Sequence, residues 1–142
     1  MADWAQEIMA RTAWGEARGE GYIGMLAVCW VIRNRALNPR WWGRNVADVC
    51  LLPRQFSCWN ENDPNRRPLL WVDERDRQFT EALRAAGAAL AGEGDDPTIT
   101  SDHFHATHMR PTWAADRNPV ITIGRHRFHR LELTQSPRRV TL

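Results

Sequence analysis

Glu16 lies in the segment Trp14-Gly15-Glu16-Ala17-Arg18-Gly19-Glu20, between an indole and a run of glycines. A carboxyl in that position can act as a general acid on a glycosidic bond. Such a bond breaks when its bridging oxygen is protonated as the ring carbon gains oxocarbenium character. The acid must still hold its proton near neutral pH, and apolar neighbours raise a Glu pKa enough for that. Trp14 and the apolar helix after Glu16 supply such neighbours, and the glycines let a bulky polymer approach the backbone closely. The same residue in a turn can equally be a cap or a solvated charge. A hydrolytic route needs a second carboxylate, for which Glu20, Asp102 and Asp116 are the candidates. Glu20 can also be read as a helix-start acid favoured by the helix dipole, and Arg18 as an ion-pair partner or a substrate contact.

All five His fall between residues 103 and 129. His103, His105 and His108 allow a metal reading, since imidazole is the commonest zinc ligand. Their spacing matches no zinc signature, and no HExxH or CxxC accompanies them, so no metal or cofactor is expected. His126 and His129 fall on opposite faces of a strand and should not act together. Cys29, Cys50 and Cys58 show no metal spacing. Cys29 reads as a small buried hydrophobe, and all three are expected as free thiols.

Helical and strand patterns must position these groups. Residues 3–15 read as a helix capped by Asp3, which leaves Glu16 near a helix end or tight turn. From Tyr22 to Ala36 the pattern returns, with Ile23, Leu26, Ala27, Trp30 and Val31 on one stripe and Asn34 continuing it. This is expected to be the central core helix, ended by Asn38-Pro39. Val46 to Leu52 predicts a short helix, Gln55 to Pro68 a long cleft-edge loop, and Asp73 to Ala91 a further helix closed by Gly92. Val120 to Ile123 and His126 to Leu131, joined by Gly124-Arg125, read as a β-hairpin. The fold class is α+β, a mainly helical domain with a small antiparallel hairpin or sheet near the C-terminus, and residues 1–142 read as one domain.

Composition discriminates less. The charged share of 25% and apolar share of 43% are ordinary for a globular chain. Eight Trp are an excess, of the sort used in cores and in clefts that pack sugar rings. A net charge of +2 suits a polyanionic wall or a nucleic acid alike. Arg66-Arg67 and Arg138-Arg139 are too short for binding arms and read as solvated surface. No clustered basic helix or nucleic-acid motif is present. The longest apolar run, Gly24 to Ile32, is too short to span a bilayer, so no membrane insertion is expected.

Several blocks, taken in order, carry a family resemblance. The stretch Ala10 to Gly21, containing Gly15-Glu16-Ala17-Arg18-Gly19-Glu20, precedes Gly24, Ala27-Val28, Val31-Ile32 and Asn34-Arg35. Val46-Ala47-Asp48-Val49 and Pro53-Arg54-Gln55-Phe56-Ser57-Cys58-Trp59 follow. Last come His103-Phe104-His105-Ala106, Pro111-Thr112-Trp113-Ala114 and Ile123-Gly124-Arg125-His126-Arg127-Phe128. From about residue 8 to 130 the chain resembles the SleB-type cell-wall hydrolases, the spore-cortex-lytic enzymes and their phage and bacterial relatives.

That resemblance implies a lysozyme-like catalytic domain acting on peptidoglycan glycan strands, between N-acetylmuramic acid and N-acetylglucosamine, as a lytic transglycosylase or a muramidase. It implies Glu16 as the catalytic acid, with Glu20 a helper. Gln55 and Ser57 would hydrogen-bond acetamido or hydroxyl groups, and Phe56 and Trp59 would stack on sugar rings, although Phe56 also reads as core. Arg18, His103, His105 and Trp113 become cleft candidates.

Three other classes compete: a zinc amidase or peptidase built on the His cluster, a non-catalytic wall-binding module, and a nucleic-acid binder. The N-terminal residues show no basic n-region or apolar h-region. The expectation is therefore a monomer made in the cytoplasm and acting on the wall, in the manner of a phage endolysin released by a holin.

Overall fold

In a computed structural model, residues 2–134 are described; Arg138-Arg139 lie outside them. Helix α1 spans Trp4–Ala17. Asp3 caps it as expected, its carboxylate accepting the Gln6 N–H at 2.8 Å. A single 3-10 turn over Arg18–Glu20 breaks the chain direction, and Gly21, at a φ of 73°, starts helix α2 over Gly21–Leu37. The short helices α3 (Val46–Leu51) and α4 (Arg66–Trp71) precede α5 (Arg77–Ala91).

Helix α2 is the central element. Its residues from Ala27 to Ala36 are all buried, packed against α1, α3 and α5. A segment buried on every side, as α2 is from Ala27 to Ala36, shows no single apolar stripe. Ile23, placed on the stripe from sequence, is instead 55% exposed. The polar end of α2 is buried because it ties other elements together. Arg33 donates to Ala89 O and Leu90 O, bringing its cation to the carbonyl end of α5, which Gly92 closes at a φ of 68°. Asn34 donates to Asp96 and to Ser101 O, and the Arg35 Nε donates to Asp102 O.

Three strands form an antiparallel sheet in the order β1-β3-β2: β1 (His103–Ala106), β2 (Ile121–Ile123) and β3 (His126–His129). The hairpin β2–β3 was legible in the sequence; β1 was not. Phe128 is fully buried with Ala27 and Val31 of α2, while Phe104, Ile121 and Ile123 pack around them. Alternation therefore sends His103, His105, Arg127 and His129 to the opposite face. Strand β1 is an edge of this sheet.

Two boundaries differ from expectation. Helix α5 begins at Arg77, not Asp73, because Asp76 accepts the Phe79 N–H and caps it, while Asp73–Arg75 form a turn closed by their own ion pair. The expected loop 55–68 contains a 3-10 turn at Ser57–Trp59 and runs into α4. Leu69 is the buried residue that holds α4 down, and Arg11 of α1 donates to Leu69 O and Val72 O beyond it. Arg66 is half-buried and Arg67 exposed in its first turn. Cys29, Cys50 and Cys58 are free and buried. Among the described residues, no helix is long and apolar enough to cross a membrane.

Candidate active site

Glu16 occupies the last turn of α1, where the segment leading into the Ser57–Trp59 turn crosses it. The crossing is close because residue 15 has no side chain: a Cβ there would lie 2.7 Å from Cys58 Cβ and 3.1 Å from a Leu69 methyl. Two anchors fix the segment. Trp59 Nε1 donates to Thr12 Oγ1 at 2.9 Å, one turn before Glu16, and Phe56 is buried beneath the cleft. The backbone N–H of Cys58 then donates to Glu16 Oε2 at 3.1 Å, with the Ser57 hydroxyl at 3.4 Å from the same oxygen.

Burial of the Glu16 carboxyl is the largest influence on its acidity and raises its pKa. Hydrogen bonds from Cys58 and Ser57 oppose that shift without cancelling it, and the negative charge of Asp63 adds to it. The group therefore keeps its proton to higher pH than a solvated Glu, as a general acid requires.

A cleft of about 440 Å³ opens beside this carboxyl. Gln55 and Ser57 line it on the α1 side; Phe104, His105 and His126 of the sheet and Trp113 line it opposite. Gln55, Phe56, Ser57, His105 and Trp113 thus line one cleft with Glu16. Phe56 is 2% exposed and its ring lies tilted against Phe104, 6.0 Å between centroids, so it serves mainly as floor.

Four candidates fall elsewhere. Glu20 binds the hairpin: Oε1 accepts the Arg125 N–H at 2.9 Å and lies 3.9 Å from His126 Nδ1. It docks the sheet onto the start of α2 and stands behind His126, outside the cleft lining. Arg18 lies over the Trp14 ring at 4.1 Å and donates to Asn65 Oδ1, so its guanidinium is used in packing. Trp59 spends its N–H on Thr12 and packs against the core instead of lining the cleft. His103 sits among Trp41, Trp42 and Trp113, with its Nδ1 2.9 Å from Asp102 Oδ1.

The other carboxylates read from sequence are also placed. Asp102 is fully buried and accepts the N–H groups of Leu131, Glu132 and Leu133. Burial pushes its pKa up, but the His103 contact and these three N–H groups outweigh it and hold the value at about 2. Asp116 is exposed and outside the cleft. Among the described residues, Glu16 is the one carboxylate lining the cleft.

The histidines among the described residues do not form a metal-binding group, although His105, His108 and His126 all line the cleft. His105 Nδ1 is 2.8 Å from Ala106 O and its Nε2 3.1 Å from His129 Nε2. His108 is exposed. His126 faces Phe104 while His129 faces His105, on the opposite faces expected. Among the described residues, no three His, Cys, Asp or Glu side chains are grouped as metal ligands.

Sequence reasoning missed Arg35 and His126 as cleft residues. Arg35 is 4% exposed, lies near the Trp41, Trp42 and Phe56 rings, and leaves Nη1 without a partner. Burial lowers its pKa to about 10, against the opposing pull of Asp102. Its position on α2, one residue after Asn34 on a helix with no polar face, gave no separate signal. His126 is also pushed down in pKa by burial, with Glu20 opposing.

Comparison with known proteins places the chain. It is 33% identical over 122 residues to a spore cortex-lytic enzyme of Halalkalibacterium halodurans, covering 86% of this chain and 33% of that protein. A spore cortex-lytic enzyme of Oceanobacillus iheyensis is 30% identical over 123 residues, covering 86% of this chain and 40% of that protein. The chain thus spans about a third to two fifths of the length of these relatives. The catalytic domain of the germination-specific lytic transglycosylase SleB from Bacillus anthracis superposes with a TM-score of 0.71 at 26% identity, covering 92% of this chain and 97% of that one. The SleB catalytic domain of Bacillus cereus gives 0.66 at 25% identity, covering 89% of each chain. The cell wall hydrolase family model matches residues 19–129, beginning three residues after Glu16. With that match covering most of its length, the chain belongs to the cell wall hydrolase family.

Proposed function

We propose that this chain cleaves peptidoglycan glycan strands between N-acetylmuramic acid and N-acetylglucosamine, as a lytic transglycosylase with Glu16 as its acid and then its base. The observation that carries the reading is the single carboxylate, Glu16, among the described residues lining the cleft. A hydrolase that inverts or retains through a pair of carboxylates needs a partner flanking the bond, and Glu20, Asp102 and Asp116 all lie outside the cleft lining. One carboxylate suffices when the substrate supplies its own nucleophile. Protonated Glu16 gives its proton to the bridging oxygen as the bond to the muramoyl C1 breaks. The carboxylate left behind takes the proton of the muramoyl C6 hydroxyl, whose oxygen bonds to C1 and closes a 1,6-anhydro ring. No water is consumed, and Glu16 ends protonated as it began.

The Cys58 N–H supports the charged half of this cycle, and burial supports the protonated half. The solved SleB catalytic domain, described as a germination-specific lytic transglycosylase, supports the reading by its fold. Mass spectrometry of digested peptidoglycan tests it. Anhydromuropeptides are expected; reducing muramic acid ends would assign a muramidase, and cut stem peptides would overturn glycan cleavage altogether.

A further inference from the structure

The outer face of the sheet carries a second cavity, of about 320 Å³. Its wall includes Arg110, Arg117 and Arg127 together with His105 and His129, and no carboxylate. Among the described residues, none of these three arginines forms an ion pair with a carboxylate. The strand register explains the convergence. Arg127 pairs with His105 across β1 and β3, and His129 follows Arg127 by two residues, so all three side chains share one face. The cavity is not isolated: His105, Met109 and Pro111 line both it and the Glu16 cleft.

His129 supplies the second observation. It is 2% exposed, and its Nδ1 is buried without a partner. The network sets the tautomers. His105 Nδ1 faces a carbonyl oxygen and so carries the hydrogen, which makes its Nε2 the acceptor of the His129 Nε2–H. His129 Nδ1 is then a buried lone pair on a residue of the pocket wall, which is otherwise lined by guanidinium groups. A buried ring nitrogen left unsatisfied is costly; burial first, then His105, His103, Arg117 and Arg127, lower the His129 pKa, and an anion held by the arginines offsets their part of that effect.

We propose that this pocket is an anion subsite for the stem-peptide carboxylates of peptidoglycan, so that the chain acts preferentially on muramoyl units that carry peptide. The proposal rests on the glycan-cleavage reading. The peptide hangs from the lactyl group of the muramic acid, the residue whose bond from C1 to the bridging oxygen breaks beside Glu16, and its acidic residues present free carboxylates. Arg is suited to them because its planar fork engages both carboxylate oxygens.

Two measurements on the full chain test this. The first is the ratio of kcat/KM on peptide-bearing strands to that on strands stripped of peptide by an amidase. A ratio of about ten or more is expected, falling toward one in Arg117→Gln/Arg127→Gln, since a charged hydrogen-bonded contact changes binding by about tenfold or more. Arg110→Gln, at an exposed position, gives a second variant if the double one does not fold. A ratio near one in the natural chain, or one that the variants leave intact, overturns the proposal. The second is calorimetric binding of free L-Ala-D-Glu-diaminopimelate tripeptide, in competition with inorganic phosphate. Tripeptide binding that the variants abolish supports the subsite; phosphate binding equally tightly overturns its assignment to peptide carboxylates. Cleavage of neither strand would sink the glycan-cleavage reading, while the calorimetry would still report on the pocket.

Discussion

The Cys58 N–H meets the Glu16 carboxylate at 3.1 Å across 42 residues of sequence, and among the described residues it is the one backbone N–H bonded to that side chain. The contact gives the carboxylate one fixed donor in an otherwise desolvated position. It holds the group in place while burial keeps it protonated. Replacing Glu16 with Gln preserves the shape and an acceptor for Cys58 but removes the transferable proton. Muropeptide release should fall by about 10²–10⁴-fold, with the circular dichroism spectrum unchanged. Retention of more than about a tenth of the activity would place the acid elsewhere.

The raised Glu16 pKa has two pH consequences. Activity should decline as pH rises through the folded-state value, because only the protonated form can donate. Stability follows the same direction. A carboxyl whose folded pKa lies above its unfolded value of 4.5 holds its proton more tightly when folded. Its contribution is fully present below pH 4.5 and is lost as pH rises through the folded value. Glu16→Gln cannot ionise, so its melting temperature should exceed that of the natural chain at neutral pH, with the gap closing on acidification. Equal gaps at pH 4 and pH 8 would show that burial does not govern this group.

Much of this site was legible in sequence, for identifiable reasons. Asp3, Gly21 and Gly92 punctuate α1, α2 and α5 by capping and backbone geometry, which are local, so those helices were readable. Glu16 was placed near a helix end by the glycines after it. What failed was non-local. Glu20 looks like a second acid beside Glu16, yet its partner, the Arg125 N–H, is 105 residues away on a hairpin turn. Trp59 looks like a sugar platform until its N–H is seen on Thr12. Strand β1 is four residues long with two histidines and exists because β3 pairs with it; edge strands carry weak local signals. Arg35 was hidden for the opposite reason, as a polar residue on a helix buried all round.

Asp102 should behave as a structural anion. Its two oxygens gather the N–H groups of Leu131, Glu132 and Leu133 and the His103 ring. In Asp102→Asn an NH₂ replaces one oxygen and faces donors. The loss is roughly 3 kcal/mol, from charge-assisted bonds worth about 1.5–3 kcal/mol each, or on the order of 10 °C in melting temperature. Because its folded pKa is depressed, the stability it contributes is present above pH 3.8 and is lost as pH falls toward about 2. The natural chain and Asp102→Asn should therefore converge in stability through that window. If Asp102→Asn melts like the natural chain at neutral pH, the carboxylate does not anchor residues 131–133.

Gly15 sets the distance at which the Cys58 turn meets the Glu16 carboxyl. Nothing in its helical backbone requires glycine; the demand comes from Cys58, whose Cβ and Sγ would lie 2.7 and 2.8 Å from a new methyl. Those atoms cannot give way freely, since Cys58 is fully buried and Trp59 beside it is pinned to Thr12. In Gly15→Ala the 57–59 turn must lift from α1, at a cost of about 1–3 kcal/mol typical of an overpacked core. The N–H of Cys58 moves with it. Activity should then fall by more than the stability loss explains, because a 1 Å misplacement at a reacting group costs about 10²-fold. Gly19→Ala, where no atom lies within 4 Å of a new Cβ, is the control and should stay active. Comparing kcat of the two variants well below their melting temperatures separates the cases. If Gly15→Ala keeps full kcat, the close crossing of α1 by the 57–59 turn is a packing feature with no part in positioning Glu16.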